Sequence, residues 1–123
     1  MQICLDNNPS KYQIKRFEPP KIWINDIIYK TNLIVTPEHL FPHWRPQSAI
    51  EIIAGDFEAL LTLPIEILLI GTGSKLHFLP PTLTHFFFSK KIGVEIMTTD
   101  AAIRTYVVLS SEQRKVAAAL ILE

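Results

Sequence analysis

An excess of charge of either sign is what this chain most plainly lacks. Twelve Lys and Arg residues balance twelve Asp and Glu over 123 residues, for a formal net charge of zero. A nucleic-acid binder needs a cationic surplus to displace the counterions of the phosphate backbone, so nucleic acid is not expected as a partner. No polybasic block is present to hold an anionic membrane surface. Cysteine is nearly absent: the single Cys4 excludes an intramolecular disulfide and fits a reducing compartment. Its place beside a frayed terminus also argues against an organised nucleophile. No apolar run approaches the roughly 20 residues of a membrane span. The opening "MQICLDNNPS" has no basic residue before Lys11 and no sustained apolar stretch, unlike a signal or transit peptide. The expectation is a cytoplasmic chain without membrane insertion. Internal repeats and low-complexity segments are missing too, and the length suits a single domain over residues 1–123.

What is present falls into two rhythms. Short strand-like segments with tight punctuation come first. "YQIKRFE" ends at Pro19-Pro20, which cannot continue a ladder. "KIWI" and "IIYK" flank Asn25-Asp26, a pair suited to a two-residue hairpin turn. "NLIVT" follows, and "PEHLFPHWRP", broken by three prolines, reads as a loop with at most one helical turn. Beyond it the elements alternate. Asp56 is placed to cap a short helix, "FEALLTL", that stops at Pro64. "IEILLI" is continuous rather than alternating, as a strand covered on both faces should be. Helix "TLTHFFFSKK" ends in cations followed by Gly93, strand "GVEIM" follows, and "TTD" offers Thr98, Thr99 or Asp100 as a cap for helix "AAIRTYVVL". "KVAAALIL" closes the chain as a strand. Strand, helix, strand, helix, strand predicts parallel pairing with helical crossovers. The fold class is α/β, with a β-rich N-terminal hairpin region beside or upon the sheet.

Between "IEILLI" and the next helix lies Gly71-Thr72-Gly73-Ser74-Lys75, which resembles a phosphate-cradling loop. It fails the test. A dinucleotide fingerprint needs a third glycine where Leu76 stands, and a helix that begins at the loop. Here six residues and a Pro-Pro pair intervene, and no ribose-binding acid closes the following strand at Met97-Thr98. The spacer of a P-loop is also wanting. The loop is therefore read as a structural turn, with Gly73 at a position where positive φ or close backbone approach excludes a side chain.

No catalytic residue is assigned, and neither a cofactor nor a metal is expected. Ser74 is not in a nucleophile elbow, because Thr72 stands between the glycines. His39 and His43 have the i, i+4 spacing of a helical metal pair, but Pro42 lies between them and no third ligand is evident. His77 and His85 flank the Pro-Pro turn, and a lone histidine in "LHFLPP" reads as packed.

Two residues stand out against their helices. Arg104 sits in a helix whose faces are nearly all apolar, so it is expected to be buried and ion-paired with Asp100, Glu95 or Glu112. In "HFFFS" the stripe Leu83, Phe86, Phe87 supplies a core face, which leaves Phe88 beside Thr84 and Lys91 as a candidate partner surface.

"PIEILLIGTGSKLHFLP" together with "GVEIMTTDAAIRTYVVLSSEQRKVAAAL" resembles the small family (assembly factor 3-like, domain of unknown function 498) that includes the mitochondrial assembly factor of NADH:ubiquinone oxidoreductase, complex I. The likeness rests on Gly71-Thr72-Gly73, on Thr99-x-Ala101-Ala102-x-Arg104-Thr105, and on Glu112-x-Arg114-x-Val116. Val107 replaces a frequent Asn, and Gln113 a common Gly. The resemblance implies a three-layer α/β domain on a mixed sheet, with no established catalytic activity. It also implies work through a protein partner, as in biogenesis of a respiratory complex. A small-ligand or enzymatic site between Gly71–Ser74 and Thr98–Asp100, with Arg104 beside it, is the other reading.

Overall fold

The computed structural model describes residues 1–3 and 8–123. Cys4 lies outside the described residues. A five-stranded mixed sheet runs in the order β5-β4-β8-β6-β7, with β4 at Leu33–Val35, β5 at Leu40–Phe41, β6 at Ile67–Gly71, β7 at Gly93–Met97 and β8 at Val116–Leu120. The strand–helix alternation gives what it should: β6 pairs in parallel with both β7 and β8. The antiparallel pairing of β4 with β8 makes the sheet mixed. A three-stranded sheet, β1 (Ile14–Glu18), β2 (Lys21–Ile24) and β3 (Ile27–Tyr29), forms the N-terminal hairpin region. Asn25 takes φ 55 at its predicted turn.

Alternation along the central strands sorts two cores. Leu69 of β6, together with Val116, Ala118 and Leu120 of β8, joins the cluster filled by helix α2 (Thr99–Ser111) and the small sheet. Leu68 and Ile70, with Ala117 and Ala119, join the other cluster. There the fill comes from helix α1 (Pro81–Ser89) and a 3₁₀ helix at Ala54–Thr62. The result is three layers, with the sheet in the middle. Alanines on β8 leave room over the sheet for large rings. Phe57 stands edge-on to Phe87 (5.0 Å, 90°), and Trp44 packs on Phe57 at 5.4 Å.

Several boundaries differ from the sequence reading, each for a local reason. The stretch read as loop contains β5, because Thr36 Oγ1 accepts the His39 amide (2.9 Å) and turns the chain back onto β4. The "FEALLTL" segment is 3₁₀ rather than α. Its core residues Phe57 and Leu60 are three apart, a spacing that a three-residue turn aligns on one side. That helix starts at Ala54, so Asp56 is not its N-cap but its third residue, reaching back to accept the Ile53 amide at 2.9 Å. Helix α1 ends on Lys91 in the left-handed region (φ 64), with Ile92 N–H donating to Phe87 O, and Gly93 opens β7 instead. Helix α2 ends in the same way on Gln113 (φ 61), where the resembled family commonly has glycine.

Asp56 also receives both Nε (2.6 Å) and NH2 (2.9 Å) of Arg45. The carboxylate is nearly covered, while the guanidinium is about half exposed. Hydrogen bonding to Arg45 holds the Asp56 carboxyl below its usual range. A lowered folded pKa stabilises above the unfolded value and fades as pH falls through the folded one. The acid limb of the stability profile should therefore be shallower in Asp56→Asn, which denaturant melts between neutral pH and pH values below the carboxylate range will check.

Candidate functional site

The predicted glycine turn and the start of α2 do meet, but they meet in contact. After β6 the chain turns at Gly73, whose φ is +100. Gly73 N–H donates to Thr99 Oγ1 (2.8 Å), and the Thr99 amide donates back to Gly73 O (2.9 Å). The same Thr99 hydroxyl donates to Ile121 O at 2.6 Å, and the Ile121 amide reaches Gly71 O at 3.0 Å. Thr72 Oγ1 bonds to Lys75 O (2.7 Å) and accepts the His77 amide. Thr72 and Thr99 are buried. The carboxyl ends of β6 and β8, where open α/β sheets commonly receive ligands, are here stitched together by their own chain. The Gly73 and Thr99 amides that a phosphate would need are already donated. Millimolar ATP, NADH or NADPH should leave the melting temperature unmoved, since a ligand selective for the native state must raise it. A concentration-dependent rise would reopen the loop as a nucleotide site.

The remaining predicted residues lie on the surface. Ser74 is exposed. Thr98 Oγ1 donates to Asp100 Oδ1 at 2.7 Å, and Arg104 NH1 pairs with Asp100 Oδ2 at 3.3 Å. The Thr98 hydroxyl, followed by the Ala101 amide and Arg104, draws the Asp100 carboxyl below its usual range. Burial of Arg104 was expected and is not found: its side chain is 58% exposed. The core face of α2 is carried by Thr99, Ala102, Ile103, Tyr106, Val107 and Ser110, and Arg104 falls on the other side. Buried Tyr106 donates its hydroxyl to Tyr12 O, and burial pushes its ionisation well above the normal value.

The histidines do not assemble. His39 and His43 flank extended β5, which carries them apart at roughly 3.3 Å per residue rather than stacking them as a helix would. His39 stacks on Phe41 with the ring planes 9° apart. His77 and His85 are exposed rather than packed. Among the described residues no group of three His, Cys, Asp or Glu side chains is arranged to hold a metal.

Phe88 is 77% exposed on α1, whereas its neighbour Phe87 is fully buried. Sequence reasoning missed Phe78, which is 91% exposed in the irregular segment before Pro80-Pro81, with Leu76 half exposed near it. The segment lacks any periodicity that could have assigned Phe78 a side. Also missed was a cleft of about 360 Å³ at the other end of the sheet, walled by Pro37, Leu63, Pro64 and Ile65 and rimmed by Glu38 and Arg114. Its signal was faint: the lining residues come from four separate segments. A second, polar depression of about 460 Å³ is lined by Lys30, Asn32, His43, Arg45 and Gln47.

Among the described residues no helix is long and apolar enough to cross a membrane. Part of the chain is 42% identical over 62 residues to a Xenopus tropicalis protein named NADH dehydrogenase (ubiquinone) 1 alpha subcomplex assembly factor 3. That match spans 50% of this chain but only 34% of the relative, about a third of its length. A crystal structure from Bordetella parapertussis shares the fold with a TM-score of 0.84 and 30% identity, over 91% of this chain and 96% of that one. A Bordetella pertussis protein described as a Mth938-like domain has a TM-score of 0.82 and 25% identity, over 99% and 92% of the two chains. A family model described as "Protein of unknown function (DUF498/DUF598)" matches residues 14–121, most of the length and every strand and helix of both sheets, and the chain belongs to that family.

Proposed function

We propose that this domain is a non-catalytic protein-interaction module of the assembly-factor type, serving biogenesis of a respiratory complex. The observation that carries the reading is the pair of exposed aromatics around α1, Phe88 and Phe78. Folding does not need these rings. Leu83 and Phe87 already supply the buried face of that helix, with Phe86 half-buried against the same core. Large rings left in water cost nothing to the monomer but bring much to an interface, where a truncated aromatic anchor typically removes 2 kcal/mol or more, roughly, of binding. The name of the Xenopus relative supports the choice of partner class. The glycine turn has a structural part in this reading, closing the sheet against α2.

Affinity capture from the source cell's extract, with wild type and Phe88→Ala compared, tests it. Phe88→Ala should melt within about 0.5 kcal/mol of wild type, as surface changes do, while recovering clearly less of one defined partner. Equal recovery of every bound protein by the two would remove the reading's support.

A further inference from the structure

We propose that the cleft at the amino ends of β6 and β8 is a binding site for a small amphipathic monocarboxylate. The apolar body would lie against Pro37, Leu63, Pro64 and Ile65, with the anionic head at Arg114 and Lys115 on the rim. A volume of about 360 Å³ is within the range of small-ligand sites, roughly 300–1,000 Å³.

The chemistry of the walls sets the ligand class. Hydroxyls facing this region are already engaged by the protein. Ser110 Oγ donates to Val107 O at 3.2 Å, Ser10 Oγ to Ser110 O at 3.4 Å, and Thr36 Oγ1 accepts the His39 amide. The carbonyl end of α2 is closed by the amides of Gln113 and Arg114, which donate to Ser110 O and Leu109 O. Lys115 O accepts from Glu66 and Ile67. Apart from the exposed His39 and Gln113, which also line the cleft, the surface here is mainly apolar, which suits a hydrocarbon body. A head group must find its partner at the rim. Arg16, Arg45 and Arg104 each pair with a carboxylate. Arg114 and its neighbour Lys115 both line the cleft and are exposed, and neither has a salt bridge among the described residues. Glu38, also on the rim, repels a second negative charge and so favours a single carboxylate over a phosphate ester. The site is independent of the glycine turn, which closes the opposite end of the same strands.

Isotope-labelled full chain titrated with octanoate, octanol and octylammonium decides the matter. Octanoate should move the amide signals of Thr36, Ile65, Ser110 and Val116 and leave those of Gly71, Gly73 and Phe88 in place. It should bind about fivefold more tightly than octanol, the upper end for an exposed ion pair, and more tightly than octylammonium. Arg114→Ala, checked by melting to be folded, should weaken octanoate toward the octanol affinity, with Lys115 still in place, and leave octanol unchanged. No shift at millimolar octanoate, equal affinity for octanol, tighter binding of octylammonium, an inert Arg114→Ala, or shifts centred on Gly73 or Phe88 would each overturn the proposal.

Discussion

Phe87→Ala should cost the domain about 3–5 kcal/mol, the range for truncating a buried aromatic. The ring is fully buried between Phe57 and Phe86, at centroid distances of 5.0 and 5.1 Å, edge-on to the first and nearly so to the second. Both the area term and the aromatic pairing are lost together. Collapse of the hole is resisted because the floor is a sheet whose central strands are paired on both sides. Single domains carry roughly 5–15 kcal/mol in all, so the variant should sit near the edge of folding. Denaturant melts at one temperature give the number. A loss below about 1 kcal/mol, the scale of a surface change, would mean that α1 does not depend on this ring.

The neighbouring ring is the control. Phe88 comes next in sequence, about 100° further round the helix, and that rotation moves it from full burial to 77% exposure. If Phe88→Ala unfolds the protein as Phe87→Ala does, the surface argument under the proposed function fails at its root.

How much of this was legible in the sequence depends on where the deciding force was local. Strands β6 and β8 of the parallel part announced themselves through long apolar runs. The β2–β3 turn did so through Asn25, and Phe88 through the stripe it did not fit. What failed was settled by distant partners. Arg104 looked buried because α2 is rich in apolar residues. The small sheet and the main sheet claim only one side of that helix, and Val108 is left half exposed as well. Asp56 was read as the cap of "FEALLTL", and neither the earlier start at Ala54 nor the pairing with Arg45, eleven residues upstream, is marked in the local sequence. Helix α1 was expected to stop on glycine, yet Lys91 accepts the left-handed turn, and the lost preference is offset by the bonds that close the helix. Gly71–Thr72–Gly73 was recognised as a turn and placed beside Thr98–Asp100, but with a pocket between them; that Thr99 and Ile121 would close directly upon it was not legible.

That closure makes Gly71 the more demanding glycine, although Gly73 has the unusual backbone. A Cβ on Gly73 would meet Glu123 O at 3.4 Å and Ile121 Cγ2 at 3.7 Å, ordinary contacts. Its penalty is therefore mainly conformational, about 1–2 kcal/mol for an L-residue at positive φ. A Cβ on Gly71 would lie 2.9 Å from both Thr99 Cα and Thr99 Oγ1, and 3.1 Å from Leu120 Cδ2. The backbone of the first turn of α2 cannot step aside as a flexible side chain would. Moving it pulls Thr99 Oγ1 off the Gly73 amide and off Ile121 O, at about 1 kcal/mol for each bond lost. Overpacking adds roughly 1–3 kcal/mol, so Gly71→Ala should cost about 3 kcal/mol or more and exceed Gly73→Ala. Gly71→Val should be worse than either. Thermal melts of the three variants rank them. If Gly71→Ala melts with the wild type, the turn is not packed against α2 as described, and the ligand reading of that loop regains its ground.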